Sequence, residues 1–135
     1  MDSEFEEYDA FEKLLNEKYP KMFENQFGGI AVGKGWWPII ESLCSNIHSH
    51  IIWKKGTCPQ VAVMQIKEKF GGLRFYYDGG DDTIRGMVSM AETWASHTCE
   101  TCGVPGNSRE GGWIKTLCNT HEDERQERMK ERFKE

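Results

Sequence analysis

Four residues near the C-terminal end constrain this chain most: Cys99-x2-Cys102 and Cys118-x2-His121, two ligand-bearing pairs separated by fifteen residues that include Gly103, Pro105, Gly106 and Gly111-Gly112. Thiolates and an imidazole on two such knuckles can close a tetrahedron around Zn2+. Four protein ligands leave no coordination position for water, so the expected role of the ion is structural. The chain holds five cysteines, an odd number, and in a reducing compartment a Cys-x-x-Cys pair points to metal before disulfide. A thioredoxin-like redox site would follow a strand and open a helix, whereas here a helix is expected before Cys99 and a glycine follows Cys102. His97 is a substitute candidate as ligand. Closing the knuckle should fix the chain between a third helix and the tail, orient Trp113 and Lys115, and let Arg109 and Lys115 add charge to the same surface as the cations of the run from Val61 to Asp78.

The second constraint is the run from Val61 to Asp78, VAVMQIKEKFGGLRFYYD, which predicts a β-hairpin. Gly71-Gly72 suits a two-residue turn in which positive φ is required. That turn would pair Phe70 with Leu73, Lys69 with Arg74, Glu68 with Phe75, Lys67 with Tyr76 and Ile66 with Tyr77. Strand alternation then sorts Ala62, Met64, Ile66, Phe70, Leu73, Phe75 and Tyr77 onto an apolar face, with Glu68 as a misfit there. Gln65, Lys67, Lys69, Arg74 and Tyr76 share the other. Three cations with no acid among them stand out in a chain of net charge −5. They point to an anion, and Gly71 and Gly72 would allow it close approach. A solvated hairpin face is the bland alternative.

The remaining segments read as helices and loops. Phe5, Tyr8, Phe11, Leu14 and Leu15 recur at helical spacing until Pro20, behind the leading acids Asp2, Glu4, Glu6 and Glu7, which suit the positive end of a helix dipole. Gly28 to Gly35 resembles a phosphate-cradling loop up to Lys34, but Gly35 stands where a Ser or Thr would ligate magnesium, and no buried strand precedes it. Lys34 and this loop remain candidates for a second wall of an anion site. Trp36 and Trp37 come next, one expected to cover the core and the other to offer a surface for stacking. Pro38 opens a core helix through Ile40, Leu43, Cys44, Ile47 and Ile51. His48 and His50, two apart on that helix, point in different directions and read as solvated or capping residues. A third helix follows, capped by Asp81 or Asp82, with Ile84, Met87, Val88, Ala91, Trp94 and Ala95 inward. The tail from Glu122 alternates charges and reads as a solvated helix.

These pieces predict one α+β domain over residues 1–135, with helices packed on a small antiparallel hairpin or sheet and a zinc-ribbon-like knuckle. Its parts are an N-terminal helix and Gly-rich loop (1–34), a helix-hairpin-helix core (35–98), the knuckle (99–121) and a charged helix (122–135). The acidic balance, with a pI near 5.4, argues against coating nucleic acid by bulk charge. The opening MDSEFEEYD has no signal-peptide pattern, and no window nears about eighteen apolar residues, so a cytoplasmic protein with no membrane partner is expected. No nucleophile elbow, open metal site or paired carboxylates suggest catalysis, and a non-enzymatic protein is expected.

KEKFGGLRFYYDGG, followed by CETCG, GGW and LCNTH, resembles a group of small proteins of unassigned function found in bacteriophage and bacterial genomes. The likeness spans Gly35 to His121, about two thirds of the chain. It implies a phage-borne protein working in a host cytoplasm, against a host defence pathway. Two functions follow as expectations: capture of a nucleotide-like, phosphate-bearing small molecule through Lys67, Lys69, Arg74, Tyr76, Gly71, Gly72, Lys34, Trp36 and Trp37, or adaptor binding to a host protein. Single-stranded nucleic acid is a weaker third reading. A homodimer is a further expectation, because a lone hairpin leaves two unpaired edges.

Overall fold

The structure, a computed structural model, describes residues 3–25 and 27–133, so Asp2 and the last two tail positions lie outside it. The architecture is α+β, as the pattern predicts. Helices α1 (Ser3–Lys18), α2 (Pro20–Phe23), α3 (Trp37–Trp53), α4 (Asp82–Ala95) and α5 (Asn119–Arg132) accompany a three-stranded sheet and a separate two-stranded ladder. The sheet is ordered β1 (Ile30–Ala31), β2 (Ala62–Lys69), β3 (Gly72–Asp78); the ladder joins β4 (Asn107–Arg109) and β5 (Lys115–Leu117).

The hairpin forms, but its turn sits one residue earlier than Gly71-Gly72 suggests. Lys69 pairs with Gly72, Lys67 with Arg74, Ile66 with Phe75 and Gln65 with Tyr76. Phe70 and Gly71 are therefore the two central residues, at φ 54° and 79°, the positive pair that a type I′ turn requires. Shifting the turn by one moves every pairing partner by two, which keeps parity: Gln65, Lys67, Lys69, Arg74 and Tyr76 still share a face. Glu68, the misfit, is explained by the same shift, since its Oε2 accepts the N–H of Gly71 at 2.7 Å and closes the turn. Nearer the start of β2 the expected alternation fails. Val63 pairs with Tyr77 and Gln65 with Tyr76, leaving Met64 as a bulge residue. The bulge reverses the faces upstream, so Val61 and Val63 enter the core where Ala62 and Met64 were expected.

A non-glycine residue held at positive φ is uncommon, and Phe70 has no burial to compensate, being 72% exposed. Asn-Gly is the favoured pair for this turn. Phe70→Asn should therefore raise the unfolding free energy by about 1 kcal/mol, measurable as a higher urea midpoint with an unchanged m-value.

Each hairpin edge meets another part of the chain over part of its length. On one side β1 runs parallel to β2, with Ile30 beside Ile66 and Ala31 beside Lys67. On the other, Glu92 of α4 reaches down so that its Oε2 accepts the outward N–H of Phe75 at 3.0 Å. The inward faces of the sheet, α3 and α4 form one core around Ile39, Ile40, Leu43, Ile47, Ile66, Leu73, Phe75 and Ile84. Cys44 is buried in it, and burial drives its thiol far above the ordinary range, so it acts as a small apolar residue. Trp94, expected inside, is half exposed.

Pro20 starts α2 rather than simply ending α1, consistent with its tolerance in a first helical turn. α1 is held by a narrower stripe than its periodicity predicts: Phe11 and Leu15 are buried, while Phe5 stays 68% exposed. Of the two histidines on α3, His48 packs edgewise on Tyr19, and His50 places Nε2 2.8 Å from Oδ2 of Asp81. Asp81 also caps α4, its Oδ1 accepting from the N–H of Ile84 at 3.1 Å. The His50 bond first, and that N–H second, hold the Asp81 carboxyl down at about 2. No helix among the described residues is long and apolar enough to cross a membrane.

Candidate metal centre and the groove beside it

Cys99 and Cys102 lie just beyond the last turn of α4, and Cys118 is the N-cap of α5, its Sγ accepting from the N–H of His121 at 3.4 Å. Capping thus brings the second pair together before any ion is considered. All four ligand atoms lie within 4.8 Å of one another, so Cys99, Cys102, Cys118 and His121 can hold a metal ion. His97 is not in the cluster; its carbonyl accepts the N–H of Gly106 instead.

The separations test the fit. With metal–sulfur bonds of about 2.3 Å and metal–nitrogen bonds of about 2.0 Å, a tetrahedron puts two sulfurs about 3.8 Å apart and sulfur and nitrogen about 3.5 Å apart. Cys102 and Cys118 place their sulfurs 3.8 Å apart, and Nδ1 of His121 lies 3.6 Å from the sulfur of Cys99 and 3.3 Å from that of Cys118. The residues therefore fit a tetrahedral ion, consistent with zinc. Burial opposes ionisation of Cys99, but backbone N–H groups from Cys118, Cys102 and Thr101 outweigh it and bring the thiol down to about 6. A site that pre-stabilises a thiolate this way favours a cation.

The knuckle is clasped to the core by the loop that resembles a phosphate cradle. Gly35 donates its N–H to the carbonyl of Glu100 at 2.7 Å, and Gly33 donates to the Glu100 carboxylate at 2.9 Å. The other oxygen of that buried carboxylate takes Lys115 at 3.2 Å. Trp36 is 0% exposed, and its indole N–H donates to the carbonyl of Thr98 at 2.9 Å. With no free ring face, Trp36 is an anchor and not a stacking platform. Trp37 is stacked on Phe11 at 4.6 Å, with Tyr8 edge-on at 5.0 Å. Lys34 is paired with Glu7 at 2.6 Å. These three sequence-nominated residues thus serve α1 and the knuckle, away from the cationic hairpin face.

Of the rest, Lys67, Lys69, Arg74 and Tyr76 share one face of the hairpin, but only Lys67 and Lys69 of these four line the groove at its tip. Lys67 stands directly across from Arg74, whose guanidinium folds over Gly72, next to Lys69. Among the described residues none of these three cations forms a salt bridge. Gly71 contributes no free backbone group: its N–H is given to Glu68, and its carbonyl accepts from Thr116 Oγ1 at 2.7 Å. That bond docks the hairpin tip on β5. Beside the tip lies an open groove of about 430 Å³, lined by Lys67, Glu68, Lys69 and Phe70 from the hairpin and by Gly112, Trp113 and Ile114 from the knuckle loop, with Glu68 committed through Oε2 to the N–H of Gly71. Trp113 is 72% exposed and also borders a larger groove of about 1050 Å³ against α5, where Arg125, Arg128 and Arg132 meet Met129 and Phe133. Lys115 pairs with Glu100, whereas Arg109 bonds neutral groups, the Leu117 carbonyl and the Asn119 side chain, and keeps its charge.

Phe70 and the α5 arginines are the lining residues that sequence reasoning passed over. A hairpin turn placed at Gly71-Gly72 puts Phe70 in a strand, and the arginines are hidden in an alternating charge run. Compared with known proteins, the chain matches no family model, no curated protein and no solved structure.

Proposed function

We propose that this is a non-enzymatic capture module for a phosphate-bearing ligand with a planar ring, of the nucleotide class, held in the groove between the hairpin tip and the knuckle loop. The observation that carries this reading is the juxtaposition of Lys67, Lys69 and exposed Phe70 with exposed Trp113 across one groove. Unpaired cations suit phosphate oxygens, and two exposed aromatics suit a base. Phe70 supports the same reading, because strained residues cluster at functional sites. Zinc, bound by Cys99, Cys102, Cys118 and His121 in a ribbon-like knuckle, would do no chemistry on the ligand; it would hold the loop that presents Trp113.

The test is calorimetric titration of the metal-loaded protein with mono-, di- and cyclic nucleotides and orthophosphate. Saturable binding of at least one nucleotide, tighter than orthophosphate, is expected. Loss of one charge-assisted contact costs about 1.5–3 kcal/mol, so Lys69→Ala should weaken that binding at least about tenfold. No heat with any member of the panel would remove the proposal. A second reading, an adaptor for a host protein, draws on the groove against α5, where Met129 and exposed Phe133 give apolar surface rimmed by arginines. Capture of a host protein that Phe133→Ala abolishes, in the absence of nucleotide binding, would favour it.

A further inference from the structure

A second set of metal-type ligands lies outside the knuckle, on three different elements. His50 comes from the last turn of α3, Cys58 from the loop before β2, and Asp81 from the N-cap of α4. Their ligand atoms all fall within 4.8 Å of one another. Nothing in the proposed capture mechanism uses them.

The arrangement argues against a nucleophilic cysteine. An activated thiol needs the imidazole as its base, with the carboxylate behind the imidazole. Here Nε2 of His50 is already engaged by Asp81, and the thiol lies beside the carboxylate. Desolvation first, and then the Asp81 charge, push the Cys58 thiol up, opposite to what a nucleophile needs.

The same features suit a cation. The Cys58 thiol makes a long contact, 3.6 Å, to the carbonyl of Pro59 and otherwise faces the Asp81 carboxylate, so its sulfur is directed at the other two ligand groups. Asp81 is oriented by its capping bond through Oδ1, which leaves Oδ2 for a ligand. An ion bound to both Nε2 and Oδ2 at about 2.0–2.1 Å would set these atoms about 3.4 Å apart. The present 2.8 Å is therefore the proton-bridged form, and a modest outward swing of the ring admits a metal in place of the proton. A neutral imidazole, a thiolate and a carboxylate together carry the charge that a divalent cation balances, and mixed nitrogen, sulfur and oxygen donors match borderline transition metals. Side-chain exposures of 11% for His50 and 27% for Asp81 leave a way in from solvent.

We infer that His50, Cys58 and Asp81 form a second metal site, taking one divalent ion of the zinc or cobalt class with one position left to water. The test is Co2+ titration of the full chain after chelator treatment, read by thiolate-to-cobalt charge transfer and by native mass spectrometry. Wild type should bind two equivalents. Cys58→Ser should bind one and lose part of the charge-transfer band. Asp81→Asn, which retains a helix cap and so guards against simple misfolding, should also bind one, with the knuckle spectrum unchanged. One equivalent in wild type, or two in both variants, overturns the inference. Neither result bears on nucleotide capture, which is measured separately.

Discussion

Stripping the metal from the knuckle is expected to lower the midpoint of thermal unfolding by about 10–15 °C, because an ion at roughly a thousand times its dissociation constant stabilises the folded chain by about 4 kcal/mol. The reason lies in how little else holds that region. Its own buried apolar cluster comprises Cys99, Leu117 and Cys118, two of which belong to the set that can hold the ion. Without the ion these thiols have no core to pack into, and β4 with β5 is a short two-stranded ladder, marginal alone. The damage should also reach the main core, since Trp36 and Gly35 bond to carbonyls at Thr98 and Glu100. Calorimetry before and after chelation, with metal content measured on the same samples, checks this. An unchanged midpoint in demonstrably metal-free protein would contradict a structural role.

Two identical substitutions should have opposite effects. A Cβ on Gly35 would sit 2.1 Å from the carbonyl oxygen of Cys99 and 2.6 Å from the nitrogen of Gly103. Both are backbone atoms inside the metal knuckle, so neither can yield as a side-chain tip would. Gly35→Ala should cost about 3 kcal/mol or more and weaken metal binding as well, because relief requires parting the clasp from the Cys99–Gly103 turn. Gly86 is exposed within α4, and its Cβ would meet nothing within 4 Å. Gly86→Ala should stabilise by about 0.5–1 kcal/mol through helix propensity alone. Denaturant melts of both variants decide the matter: a mild effect at Gly35 would mean that the knuckle does not press on the core as described.

How much of this was legible in the sequence follows from how local each determinant is. Cys99, Cys102, Cys118 and His121 could be read from spacing, because a Cys-x2-Cys turn and a capped helix start are each short and self-contained. The hairpin could be read too, and its cationic face survived a wrong turn position because the error moved each partner by two. The turn itself meets distant groups: Thr116 Oγ1 donates to the Gly71 carbonyl, and Ile114 packs against Gly71. Such partners leave no trace in a local pattern. The roles of Trp36 and Lys34 away from an anion site are not legible locally for the same reason, since Thr98 and Glu7 lie far along the chain from them. Met64 was invisible as a bulge because the run around it alternates acceptably in either phase. Cys58 could not be interpreted at all until folding brought His50 and Asp81 to it.

The capture proposal turns on whether the two walls of the groove act on one ligand. For whichever nucleotide binds the metal-loaded protein most tightly, calorimetry on wild type, Lys69→Ala, Trp113→Ala and the double variant gives that answer. Lost stacking should cost about 1–3 kcal/mol, so Trp113→Ala should bind at least about fivefold and Lys69→Ala at least about tenfold more weakly, with the metal content of all four proteins equal. Affinity unchanged in either single variant would mean that the ligand does not lie between the hairpin tip and the knuckle loop.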